Sequence, residues 1–133
     1  MKLSLNPILV FVCFVLLVAT GCSSNDNSTP TYESELEELS LLRAEVEALA
    51  DASVCDGTSE CKFIALGSKP CGGPWSYLIY TTSIDVEQLQ AAVKDYNQKE
   101  AVFNIKWNIV SDCASALQPT SISCENNSCV LTY

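Results

Sequence analysis

Ser123-Cys124-Glu125-Asn126-Asn127-Ser128-Cys129-Val130 reads as a β-hairpin with two cysteines facing each other. Adjacent asparagines tolerate the left-handed backbone that a two-residue hairpin turn requires. With Glu125 and Ser128 as the hydrogen-bonded pair beside the turn, Cys124 and Cys129 form the next, closer, non-hydrogen-bonded pair. A bridge between them is geometrically reasonable. They belong to a set of six cysteines, with Cys55, Cys61, Cys71 and Cys113, that follows residue 22. An even number in an exported domain of roughly 80 residues is a disulfide framework, because so small a core gains little margin from burial alone. A local Cys55–Cys61 bridge would leave Cys71 to Cys113, and two other pairings of these four stay open. Structural zinc is disfavoured, since the chain has no histidine and no Cys-x-x-Cys pair. Neither a metal nor a cofactor is expected.

Upstream of the hairpin, Asp85 to about Val110 is the clearest helix. Val86, Leu89, Val93, Tyr96, Glu100, Phe103, Trp107 and Val110 recur at alternating spacings of three and four, so one face should meet a core. Glu100 is the acidic member of that stripe. Trp75 to Thr82 is rich in aromatic and β-branched residues and reads as a strand, as does the apolar run Lys62 to Leu66. Between them, Gly67-Ser68-Lys69-Pro70-Cys71-Gly72-Gly73-Pro74 must be a tight irregular loop. Further upstream, Ser34 and Glu37 have the spacing of a capping box before Leu39, Leu42, Val46 and Leu49, which predicts an amphipathic helix over residues 32–51. Docking on the domain is favoured for this helix over a stalk or a coiled coil, because it spans barely two heptads. The expected fold class is α+β: two helices packed on a small, mostly antiparallel sheet that the closing hairpin can join, stapled by three disulfides.

The amino-terminal segment carries a different message. Lys2 precedes an apolar run from Ile8 to Val18 that is far too short to span a bilayer as a helix of about 20 residues. The run Val18-Ala19-Thr20-Gly21-Cys22 then resembles the lipobox of bacterial lipoproteins, with Ala19 where leucine is commoner. The resemblance implies a signal peptide over residues 1–21, a lipid on Cys22 and, from Ser23, export to the bacterial outer membrane. Residues 22–31, rich in Ser, Asn and Thr, should form a lipidated, flexible tether, and residues 52–133 the disulfide-rich domain.

A second resemblance covers about residues 55 to 130. Leu66-Gly67-Ser68-Lys69-Pro70-Cys71-Gly72-Gly73-Pro74-Trp75-Ser76-Tyr77, followed by Tyr96-Asn97, Glu100, Asn104, Ser111-Asp112-Cys113 and the cysteine hairpin, is similar to small, uncharacterised bacterial lipoproteins and secreted proteins. It implies domain limits and a cysteine framework, and brings no activity.

Charge and composition narrow the function classes. Once Lys2 leaves with the signal, six basic residues face sixteen acidic ones, a formal charge of −10. Nucleic acid is therefore not an expected partner. Much of that charge lies in Glu33, Glu35, Glu37, Glu38, Glu45 and Glu47, the solvated face of the first helix. Without histidine there is no Ser-His-Asp or Cys-His catalysis, whereas Ser-Lys and two-carboxylate mechanisms are not excluded. Glu100 or Asp112 could serve a hydrolase, although Asn97 and Asn104 share the face of Glu100 and offer it a purely structural role. The candidate binding loop is Lys69, Gly72, Gly73 and Trp75: successive glycine N–H groups can form an anion-binding nest, and the aromatics Trp75, Tyr77 and Tyr80 suit a peptide or glycan. The leading expectation is a noncatalytic, lipid-anchored envelope module with a protein or glycan partner. Alternatives are an inhibitor of a secreted protease or lysozyme, for which Pro70 blocks Lys69 as a scissile residue, and an envelope hydrolase using carboxylates.

Overall fold

The computed structural model describes residues 29–133; the signal-peptide and Cys22 readings lie outside the described residues. The elements are α1 (Tyr32–Asp51), β1 (Cys61–Leu66), β2 (Ser76–Thr81), α2 (Val86–Lys106), β3 (Ser121–Glu125) and β4 (Ser128–Thr132). Among the described residues, no helix is long and apolar enough to cross a membrane.

Both helices start at side-chain caps. The capping box of α1 lies three residues earlier than the Ser34/Glu37 spacing predicts. Thr31 is the N-cap, its hydroxyl accepts from the Ser34 N–H at 3.2 Å, and the Ser34 hydroxyl accepts from the Thr31 N–H at 2.9 Å. Serine thus does the reciprocal job usually given to glutamate. Asp85 caps α2 by accepting from the Gln88 N–H at 2.9 Å. The helices run antiparallel: Glu35 meets Lys106 and Trp107, while Glu38 meets Lys99. Leu39, Val46 and Ala50 of α1 pack with Leu89, Val93, Tyr96 and Phe103 of α2, and Leu66 and Tyr80 close the core from the strands. The first helix is therefore docked, as its short apolar repeat favours.

The helix stripe departs from expectation at its end. Val110 should be inward by periodicity, yet it is 90% exposed. The α-helical phase stops at Lys106, Trp107 caps it, and Asn108 turns the chain through φ +51°. Ile109, whose N–H reaches the Asn104 carbonyl at 3.0 Å, packs on the core instead.

The strands form two separate antiparallel pairs, so the closing hairpin does not join the first sheet. β1 and β2 pair from Cys61 opposite Thr81 to Leu66 opposite Ser76. β3 and β4 pair with Glu125 opposite Ser128 and Cys124 opposite Cys129, the register read from the Asn-Asn turn; Asn126 and Asn127 have φ +50° and +60°. The bridge across the hairpin is not made. Cys124 pairs with Cys55 and Cys129 with Cys61, which also excludes the local Cys55–Cys61 bridge, while Cys71 pairs with Cys113 as that option required. The physical reason lies in what each bridge would close. A Cys124–Cys129 bond would tie a turn already held by its own ladder and remove little chain entropy. The observed bonds close loops of 69 and 68 residues. They also attach a hairpin with no fully buried residue of its own to the start of β1.

The two bonds are adjacent, with the sulfurs of Cys55, Cys61 and Cys129 all within 4.8 Å of one another. They are therefore partly redundant. With one in place, the other closes a ring of only about a dozen residues, and removing it as a Cys-to-Ala pair should cost about 3 kcal/mol. Removing both reopens the long loop and should cost about 7 kcal/mol, more than twice the single loss, by chemical denaturation. Peptide mapping of the non-reduced protein should recover the three pairs named; a Cys124–Cys129 peptide would contradict this arrangement.

Candidate functional site: the loop between β1 and β2

The loop from Gly67 to Gly73 is held by side chains of α2. Asn97 accepts from the Gly67 N–H at 2.6 Å and donates to the Ala65 carbonyl at 3.2 Å. Glu100 accepts from the Ser68 N–H through Oε2, and from the Tyr96 hydroxyl through Oε1 at 3.0 Å. Asn104, buried, donates to the Ser68 carbonyl at 2.6 Å. Residues 97, 100 and 104 stand three and four apart, so one helix face presents three polar groups to one short stretch of backbone. A loop with so few ladder bonds of its own has its polar groups satisfied in this way.

Both carboxylate oxygens of Glu100 are thus engaged. A general acid needs an oxygen directed at substrate, and the geometry assigns Glu100 to positioning the loop. Burial pushes the Tyr96 hydroxyl up to about 12, and the adjacent Glu100 charge adds to the shift.

The candidate loop residues are close together but turned to structural use. Lys69 is nearly buried; its ammonium donates to the Ala114 carbonyl at 2.6 Å, pairs with Asp112 at 3.1 Å and stands 5.0 Å over the Trp75 ring. The Gly72 N–H donates to the Lys69 carbonyl and the Lys69 N–H to the Gly73 carbonyl, both at 2.8 Å, so that the Gly72 donor of the proposed nest is spent inside the loop. Cys71–Cys113 lies alongside the Lys69–Asp112 pair, and together they bind the loop to the segment after α2. Asp112, the other candidate acid, gives one oxygen to that ion pair and is otherwise exposed. Beside the loop runs a groove of about 430 Å³ whose walls include Pro70, Gly72, Ala101, Ile105 and Ile109.

Gly67 is the glycine that sequence reasoning passed over. It has φ +85°, and a Cβ there would stand 2.4 Å from the Trp75 ring and 3.0 Å from Glu100 Oε2. Gly72 and Gly73 also have positive φ, yet a Cβ on either would meet nothing within 4 Å. The signal available in the sequence was the Gly67-Ser68 step placed against Asn97, Glu100 and Asn104, which becomes legible only when the loop and helix are known to touch.

Gly67→Ala should destabilise by about 3 kcal/mol, from the left-handed backbone and the clash together, and Gly72→Ala by about 1 kcal/mol. Glu100→Ala strands the Ser68 N–H and the Tyr96 hydroxyl and should cost about 2–3 kcal/mol, with Glu100→Gln milder because it retains an acceptor. Thermal or chemical denaturation of the four variants checks the order.

The Tyr96 shift sets an alkaline limit. An unfolded tyrosine ionises at 10.0, whereas the folded chain retains the proton to about 12. Between those values the folded state holds more protons, so this contribution is complete below pH 10 and is lost as pH rises toward 12. Phenolate absorbance should show one of the five tyrosines titrating last. In Tyr96→Phe the late step should vanish, along with its share of the alkaline loss of stability.

No family model, no curated protein and no solved structure matches this chain.

Proposed function

We propose that the chain is a noncatalytic lipoprotein of the bacterial outer membrane, anchored by lipid on Cys22, whose disulfide-pinned head binds an envelope protein or glycan. One observation carries the noncatalytic part. Glu100, the carboxylate best placed by sequence for acid chemistry, has both oxygens committed to the loop amide and the Tyr96 hydroxyl. Asp112, largely exposed, pairs with Lys69 through one oxygen. A rigid head favours binding, since a loop already held by one disulfide and several side-chain bonds loses little conformational entropy on meeting a partner. Each sheet has only two strands, so every strand has one edge outside its ladder, the kind of edge that strand addition by an extended peptide uses. The anchor reading rests on the Gly21-Cys22 junction and on the short apolar run before it.

Crosslinking in intact envelopes tests the reading. Wild type and Glu100→Gln should capture the same partner, because Gln retains the loop contacts, and Cys22→Ser should move the protein from the membrane to the soluble fraction. Hydrolysis of an envelope substrate by wild type, abolished in a folded Glu100→Gln protein, would replace binding with the carboxylate-hydrolase reading.

A further inference from the structure

The end of the helix pair nearest the tether carries large apolar side chains that stay exposed. The tether enters at Thr31, directly before Tyr32. The Tyr32 ring lies 5.5 Å from Trp107 and 5.3 Å from Phe103, so the start of α1 and the end of α2 occupy one end of the domain. At that end Ile105 is 80% exposed and Val110 90%, with Val102 one turn before Ile105 at 64%. Trp107 donates to Glu35 at 2.7 Å, which fixes the indole with its N–H on a polar group beside Lys106. Tyrosine and tryptophan with one wet and one apolar side are the residues that settle at a membrane–water interface.

Chain length supplies the occupant. From Cys22 to Thr31 the chain spans at most roughly 30 Å, while the far end of α1, where Val54 is exposed, lies about another 30 Å from Tyr32 along a helix of this length. A lipid on Cys22 therefore keeps the Tyr32–Val110 end within about 30 Å of the bilayer, whereas the Val54 end can swing out to about twice that distance. At the high local concentration a short tether imposes, a contact too weak to recruit a free protein becomes persistent.

We propose that Tyr32, Val102, Ile105 and Val110 lie against the lipid surface as a shallow interfacial contact that orients the domain. This rests on the lipid-anchor reading of Cys22. The strongly acidic chain suits a zwitterionic surface rather than an anionic one.

The test is hydroxyl-radical footprinting of the acylated full-length protein on phosphatidylcholine vesicles, against Cys22→Ser in the same vesicles. Expected are flotation of the acylated protein and labelling of Tyr32, Ile105 and Val110 reduced about threefold, with Val54 unchanged. The acylated double variant Ile105→Glu, Val110→Glu should still float and should regain labelling at Tyr32; both positions are exposed, so the fold is spared. Flotation with an unprotected patch overturns the proposal and leaves the anchor standing. Protection of the patch in Cys22→Ser as well would identify a second copy or a soluble partner as the occupant and also overturns it. An acyl-free mass without flotation refutes the anchor and the orientation together.

Discussion

Three side chains on one face of α2 hold a loop that cannot hold itself. Asn97, Glu100 and Asn104 take up the Gly67 and Ser68 amides and the Ala65 and Ser68 carbonyls, across a sequence separation of some thirty residues. Each such bond contributes only about 1 kcal/mol net, yet a buried amide left without a partner costs more than the bond returns. The loop, the disulfide that leaves it and the hairpin of β1 and β2 on either side of it therefore share one dependence. The close approach this requires is possible only because Gly67 has no side chain to separate the backbone from Trp75 and Glu100.

A different economy governs the other end of the chain. β3 and β4 expose most of their residues and add little to the apolar core. Their position depends on two covalent bonds to Cys55 and Cys61, with the backbone ladder supplying local shape alone. The core and the framework thus divide the work: α1, α2 and the first strand pair pack by burial, and the last strand pair is attached by oxidation.

Local features were readable because they repeat or cap. The spacing of Leu89, Val93, Tyr96 and Phe103 identifies α2, Asp85 marks its start, and Asn126-Asn127 fixes the hairpin register to the residue. What could not be read depends on which segments meet. Cys124 and Cys129 do stand opposite each other, so the register was right while the bond was not, because a second sulfur was closer to each in space than spacing along the chain could reveal. Val110 kept the helical period in sequence, but Asn108 ended the helix before that period could apply. Likewise Gly72 and Gly73 stood out as a pair, whereas what makes Gly67 irreplaceable is the ring on the other side of the missing Cβ. For the loop, Lys69 stands over Trp75, and only the contacts of Lys69 with Asp112 and Ala114 show that it braces the loop.

The crossed pairing of Cys55–Cys124 and Cys61–Cys129, enclosing Cys71–Cys113, imposes an order of events on a chain that emerges amino end first. Cys55 and Cys61 arrive together, only six positions apart, long before their proper partners. Each finds the other as its nearest thiol, and a premature bond between them must be undone by thiol–disulfide exchange before the hairpin can be fastened. Fastening of the hairpin therefore waits on Cys124 and Cys129, and any Cys55–Cys61 bond formed before them has to be exchanged and not kept.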